Sequence, residues 1–133
     1  ELQSYNFQFQ SNFEELETLE EKLQSIVGFD SLGDTKQYEI MLVLSEAITN
    51  GIEHGNGLDP KKVVHLKAET NESTWVFEVS DEGKGFDPKI LENPVEEEYM
   101  LRDHGRGWFL MGHYANSILW DETSKCLRIT FDI

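Results

Sequence analysis

Apolar and polar residues alternate along five short stretches of the chain, and this period of two predicts β-strands. The predicted strands cover residues 5–10, 64–68, 75–79, 117–120 and 126–133. A polar loop of four residues separates the second strand from the third, and this spacing is typical of a hairpin.

Apolar residues recur at helical spacing in three other segments, which cover residues 13–28, 34–54 and 107–116. Ser11 or Asn12 is the candidate N-cap of the first helix, which should end near Gly28, and Gly55 closes the second. The first helix carries a run of acidic residues. This run indicates either a solvated face or a docking surface for a basic partner.

The order of these elements is strand, two helices, hairpin, loop, helix and two strands. It predicts one α+β domain over residues 1–133, built as a two-layer sandwich. We expect a mostly antiparallel mixed sheet with the helices packed on one face.

The second predicted helix is apolar on nearly all sides, which is typical of a helix buried inside a domain. It nevertheless carries Glu46 and Asn50, which are four residues apart and therefore share a face. A buried carboxylate needs a bonded partner or a wet cavity. One interpretation is that the two side chains face solvent or hydrogen-bond to each other in the core. The other is a ligand site in which Asn50 binds Mg²⁺ and Glu46 acts as a general base.

A glycine-rich turn, Asp81-x-Gly83-x-Gly85, follows the third predicted strand. Glycines permit close backbone approach, so this turn can present amide groups to a ligand. An ordinary hairpin turn has a similar composition. Asp81 is well placed for binding because it ends a buried strand at the rim of the sheet.

A second glycine motif, Gly105-Arg106-Gly107, opens the third predicted helix. The first turn of a helix has free N–H groups that bind anions, and an arginine can bond a phosphate through two nitrogens. The alternative is a plain, flexible entry into a helix.

The composition narrows the class of partner. The 133 residues contain 11 Lys and Arg against 26 Asp and Glu, a net charge of −15, which argues against nucleic-acid and anionic-membrane binding. Residues 1–60 hold −10 of this charge, and all three arginines lie in residues 61–133. A lone cysteine, Cys126, fits a reducing compartment, and no apolar run spans a bilayer, so we expect a cytoplasmic protein. The histidines show no zinc-ligand spacing.

Three segments taken together resemble a known superfamily. They are residues 46–55 (EAITNGIEHG), 81–88 (DEGKGFDP) and 104–111 (HGRGWFLM). Their order and spacing resemble the N-box and the two glycine boxes of the GHKL ATPase and kinase superfamily. Within it, the chain is similar to the small anti-sigma-factor serine kinases of the RsbW and SpoIIAB type, over nearly its whole length.

The resemblance implies roles for residues at matching positions. Glu46 would accept the proton of a substrate serine, and Asn50 would bind Mg²⁺ and link it to the triphosphate. Asp81 would accept a hydrogen bond from the adenine amine of ATP. Gly83 and Gly85 would let the base and the ribose pack closely.

At the phosphate end, the resemblance implies that Gly105, Arg106 and Gly107 would close over the phosphates. Arg106 would stabilise charge on the γ-phosphoryl group. His54 would shape the phosphate side, or it would have only a structural role at the end of its helix.

The resemblance also implies partners. The protein would bind a sigma factor in one state, and in the other it would phosphorylate a serine of a STAS-type antagonist with Mg-ATP. A homodimer is implied as well, and an apolar face of the sheet is where we expect its contact.

One departure from the family pattern leaves a second function open. A Gly-Thr pair usually precedes the last strand, and its threonine supports the adenine-binding aspartate, whereas this chain has Lys125-Cys126. A non-catalytic binding module of the same fold therefore remains an alternative, while the presence of Glu46 favours an enzyme. The ATP-binding half of a two-component histidine kinase fits less well.

Overall fold

The computed structural model describes residues 2–83 and 111–133, and its five strands form one sheet. The strands are β1 (Gln3–Gln10), β2 (Val63–Thr70), β3 (Thr74–Ser80), β4 (Ser117–Asp121) and β5 (Cys126–Asp132). Their order across the sheet is β1-β2-β3-β5-β4, and every pair of neighbours is antiparallel. The predicted α+β fold class is confirmed.

The first predicted helix is divided in two. A 3₁₀ segment (Phe13–Thr18) precedes α1 (Leu19–Gln24), and Asn12 caps the segment by accepting the Glu15 N–H at 3.0 Å. The Thr18 hydroxyl donates to the Glu15 carbonyl at 2.7 Å, which gives the backbone an alternative to the regular helical bond. A second 3₁₀ segment (Phe29–Leu32) follows Gly28, whose φ of 93° favours glycine.

The long helix α2 (Asp34–Asn50) supplies one layer of the core and continues into a π turn (Gly51–Gly55). The residues that it buries are mainly aliphatic and pack on one face of the sheet, whose strands contribute alternate residues. The expectation of a helix buried on nearly all sides is wrong, because α2 buries only the side that meets the sheet and leaves Tyr38 63% exposed. The buried set includes Ile40, Leu44 and Ile48 of α2 and Phe9, Leu66, Phe77, Ile129 and Phe131 of the sheet. This packing fixes the end of α2 near the ends of β2 and β3, where the candidate site lies.

The other face of the sheet is mostly polar and charged. Across it run the facing residues Asn6, Lys67, Glu78 and Arg128, and Arg128 Nη2 lies 2.9 Å from Glu78 Oε2. The expectation of an apolar sheet face for a homodimer is therefore not met by the described residues, because most apolar positions of the sheet face the helices, although Leu119, opposite Arg128, is exposed on the outer face. The homodimer itself stays a prediction.

Two further findings concern the described parts of the chain. Residues 111–114 are helical, and Met111 is fully buried, which agrees with the last part of the helix predicted over 107–116. No helix within the described residues is long and apolar enough to cross a membrane.

Candidate functional site

Glu46 and Asn50 lie side by side near the end of α2. Asn50 is 8% exposed, and its Nδ2 donates to the Glu46 carbonyl oxygen at 2.8 Å and to Glu46 Oε1 at 3.2 Å. The predicted pairing on one helix face is present because residues four apart in an α-helix are neighbours. With Nδ2 engaged by Glu46, the side-chain oxygen Oδ1 is the atom of Asn50 suited to a cation.

The helix that carries this pair ends in a π turn. The Asn56 N–H donates to the Gly51 carbonyl at 2.8 Å, which is a bond between residues five apart. Such a turn is wider than an α-helical turn, and π turns are frequent at functional sites. His54 lies on it with its side chain about half exposed, and its Nε2 is 2.8 Å from Glu53 Oε1.

Asp81 follows β3 and lies directly against the π turn. A Cβ added to Gly55 would be 2.2 Å from Asp81 Oδ2 and 2.4 Å from Asp81 Cγ. The Asp81 carboxylate therefore occupies the space that any other residue at position 55 would need. Asp81 Oδ1 also accepts the Gly83 N–H at 2.9 Å, which closes the turn on itself.

Gly83 contacts the same turn from the other side. A Cβ on Gly83 would be 1.7 Å from the Gly55 carbonyl oxygen, so only glycine fits between these two backbones. A Cβ on Gly51 would be 3.0 Å from Val64 of β2. Gly51 and Gly55 were not singled out from the sequence as packing residues. The available signal was Gly51 inside the helical pattern, since glycine in a helix interior costs about 1 kcal/mol relative to alanine.

An open groove of about 600 Å³ lies beside this contact, within the size range of small-molecule sites. It is lined by residues 53–55 of the π turn with their neighbours Asn56 and Gly57, by Lys62, and by Glu82 and Gly83. Its charged lining residues are Lys62 and the acidic Glu53 and Glu82.

Glu82 itself is bonded to β2. Its Oε1 accepts the Val63 N–H at 2.9 Å, and its Oε2 lies 3.2 Å from His65 Nε2. The backbone hydrogen bond, followed by the one from His65, lowers the pKa of the Glu82 carboxyl below its usual value. Glu82 is therefore held as an anion that caps the start of β2.

Asn50 offers one side-chain oxygen of the kind that Mg²⁺ takes from a protein, beside the Glu46 carboxylate. Mg²⁺ usually takes one or two oxygen ligands from the protein, together with waters and phosphate oxygens. Within residues 2–83 and 111–133, no group of three or more His, Cys, Asp or Glu side chains is arranged to hold a metal. An amide oxygen beside one carboxylate fits an ion that arrives with phosphates.

The Lys125-Cys126 pair differs from the arrangement that the resemblance implied. Lys125 has a φ of 57°, so it adopts the left-handed conformation that suits glycine. Cys126 Sγ contacts Ser124 Oγ at 3.0 Å and Glu78 Oε2 at 3.7 Å, on the outer face of the sheet. Burial raises the pKa of the Cys126 thiol. Asp81 packs on the helix side, so Cys126 lies on the opposite face.

The remaining predicted site residues lie outside the described part of the chain. They are Gly85, Gly105, Arg106 and Gly107. The structure thus brings together Glu46 with Asn50, and Asp81 and Gly83 with the turn that carries His54.

The fold and this contact between a helix end and a strand end define a two-layer α+β domain with an open groove at one end of the sheet. The model of the histidine kinase-like ATPase domain family matches residues 9–131, which is most of the chain. The chain belongs to the histidine kinase-like ATPase domain family, whose name implies nucleotide binding.

Three curated proteins illustrate the similarity. The chain is 28% identical over 94 residues to an anti-sigma F factor of Clostridium botulinum, covering 68% of this chain and 66% of that protein. It is 30% identical over 82 residues to an anti-sigma F factor of Halalkalibacterium halodurans, covering 60% and 56%. It is also 36% identical over 73 residues to the phytochrome-like protein Cph1 of Synechocystis, covering 53% of this chain and 10% of that one. The matches thus span 66% of the first anti-sigma F factor and 56% of the second, which is under two thirds of each.

Proposed function

We propose that this protein is an ATP- and Mg²⁺-dependent protein-serine kinase that also acts as an anti-sigma-factor-type partner switch. The observation that carries the proposal is the contact between Glu46 and Asn50, since it places a carboxylate beside an amide within one turn of α2. The similarity to two anti-sigma F factors supports the same class.

Glu46 is the proposed base. Its carboxylate accepts the proton of a substrate serine hydroxyl as the serine oxygen bonds to the γ-phosphorus of ATP. The bond from that phosphorus to the bridging oxygen breaks at the same time, and ADP leaves with the electron pair. The hydrogen bond from Asn50 Nδ2 orients the carboxylate for this step.

Asn50 is the proposed ligand of the metal, through its side-chain oxygen. Bound Mg²⁺ supplies positive charge that offsets the negative charge of the phosphates. The helix α2 positions both residues rigidly, and positioning is the main requirement of phosphoryl transfer.

Asp81 is the proposed contact for adenine, through a carboxylate oxygen that accepts from the exocyclic amine. Gly83 and Gly85 allow the base to approach the backbone. Gly105, Arg106 and Gly107 are proposed to bind the phosphates, and His54 to border that end of the groove.

The proposed partners are a sigma factor and a STAS-type antagonist, and the proposed location is the cytoplasm. Residues 1–60 hold −10 of the net charge, which suits a basic segment of a partner. These residues precede both glycine-rich motifs, which lie at residues 81–85 and 105–107.

The test compares the parent protein with Glu46→Gln in the presence of γ-labelled Mg-ATP and candidate STAS proteins. Loss of the base should lower label transfer to serine by at least about a hundredfold, with ATP affinity within a few-fold of the parent. Glu39→Gln is the matched control, because Glu39 is on the same helix but faces Lys36 at 3.7 Å.

Equal transfer by the parent and by Glu46→Gln would show that Glu46 is not the base. A protein that binds Mg-ATP and the partner without transferring label would support the alternative function, a non-catalytic binding module. Absence of nucleotide binding by calorimetry would overturn the proposed cosubstrate.

A further inference from the structure

A buried polar side chain, Asn56, connects three segments that meet at the candidate site. It is 4% exposed and directly follows the π turn. Its Nδ2 donates to Ser11 Oγ and to the Val63 carbonyl oxygen, both at 3.0 Å. Its Oδ1 accepts the Glu82 N–H at 2.8 Å. Both ends of the amide are thus bonded, to residues 45, 7 and 26 positions away along the chain.

The bonds around Asn56 form a closed set. Ser11 is itself buried, and its hydroxyl donates to the Lys62 carbonyl at 2.6 Å. The Val63 backbone is bonded at both groups, because its carbonyl accepts from Asn56 and its N–H donates to the Glu82 carboxylate. A fully satisfied buried network of this kind specifies one arrangement, since any displaced member leaves a polar group without a partner.

The bond to Glu82 links this network to the site. Glu82 lies between Asp81 and Gly83, and both of these residues press against Gly55, the residue before Asn56. Steric contact with Gly55 limits how closely the Asp81–Gly83 turn can approach the end of the helix. The hydrogen bond between Asn56 and Glu82 is attractive and holds the turn at that distance.

We propose that Asn56 is a positioning residue for nucleotide recognition, which holds the Asp81–Gly83 turn against the end of the long helix and thereby sets the place of the base-recognising carboxylate. This inference rests on the proposed function, because it assigns Asp81 to the base. Asn56 acts through Glu82, because both ends of its buried amide are already engaged by Ser11, Val63 and Glu82. Its effect should therefore appear in affinity and base discrimination, and not in the phosphoryl-transfer step.

The experiment compares Asn56→Ala with Ser11→Ala as the matched control. Each variant removes buried hydrogen bonds of the same network, but only Asn56→Ala removes the bond to Glu82. Asn56→Ala should weaken ATP binding by about tenfold, the effect of one hydrogen bond, and should lower the preference for ATP over GTP. Transfer at saturating ATP should stay near the parent rate. Ser11→Ala should lower the melting temperature and leave both the ATP affinity and the preference unchanged.

A third variant, Asn56→Asp, separates the position of the Asp81–Gly83 turn from the stability of the fold. Its oxygen can still accept the Glu82 N–H, while both donated bonds are lost. It should be less stable than the parent and keep the parent preference for ATP over GTP. If Asn56→Ala does not fold, Asn56→Asp alone tests the inference. Loss of the preference for ATP over GTP in Asn56→Asp would overturn it.

A readout without nucleotide separates this inference from the proposed function. Amide hydrogen exchange at Glu82 and Gly83 should accelerate in Asn56→Ala and stay at the parent rate in Ser11→Ala. If the parent binds no ATP, the proposed function fails, and the exchange rates still test the link. If ATP binds equally to the parent and Asn56→Ala, or exchange is unchanged, the inference fails and the proposed function stands.

Discussion

Substitution of Gly83 by alanine tests the contact on which the site depends. The new Cβ would be 1.7 Å from the Gly55 carbonyl oxygen and 2.6 Å from its carbon, and both are backbone atoms that cannot rotate away. To bring the closest contact to 3.0 Å, the turn and the helix end must separate by about 1.3 Å.

The size of the effect follows from this displacement. Overpacking that forces backbone shifts costs about 1–3 kcal/mol, and for a domain of this length that lowers the melting temperature by about 3–12 °C. Calorimetric unfolding measures the shift, and titration with Mg-ATP measures the accompanying loss of nucleotide affinity. Asp81 moves with the turn, so we expect affinity to fall together with stability.

Gly112→Ala is the control for this substitution. A Cβ on Gly112 meets nothing within 4 Å, and the residue lies in the helical stretch 111–114. Alanine should therefore leave the melting temperature unchanged or raise it. If Gly83→Ala melts at the parent temperature and binds Mg-ATP as tightly, the described packing of the turn on the helix end is wrong.

Four further predictions concern other parts of the chain. Lys125→Gly should raise the free energy of unfolding by about 0.5 kcal/mol, because glycine adopts the left-handed backbone conformation at this position with less strain than lysine. A lower free energy of unfolding in urea melts would contradict this. The Cys126 thiol has a pKa raised by burial, so at pH 8 it should react with a thiol reagent at least about tenfold more slowly in the folded protein than in urea; equal rates would count against its burial. The bonds from Val63 and His65 lower the pKa of Glu82, so its carboxylate stabilises the fold above the unfolded pKa of about 4.3, and that stability is lost as the pH falls through the folded value. The urea midpoints of the parent and Glu82→Gln should therefore differ more at pH 7 than at pH 3, and a constant difference would refute the assignment. Binding of a basic partner should weaken between low salt and about 0.5 M, and an unchanged Kd would remove the acidic residues from that contact.

The strands and the long helix were predictable because their patterns are periodic and local. Residues of β2 and β3 alternate between buried and half-buried positions, which is the pattern that sequence alternation predicts. The same holds for the Glu46–Asn50 pair, since a spacing of four residues already places both side chains on one face of α2.

The π turn and Asn56 were not predictable in this way. A π turn depends on a bond between residues five apart, which leaves no periodic pattern in the sequence. An asparagine after a glycine is typical of a turn, and the distant partners of Asn56 meet it only when the sheet is formed.

The interlocked backbones of the π turn and the Asp81–Gly83 turn have a consequence for protein design. The Asp81 carboxylate occupies the space that a side chain at position 55 would need. The Gly55 carbonyl oxygen occupies the space that a side chain at position 83 would need. Neither segment can be redesigned or transplanted by itself, because the backbone of each one limits which residues fit in the other. A graft of this groove onto another scaffold must carry residues 50–57 and 80–83 as one unit, together with the strand end that Asn56 secures.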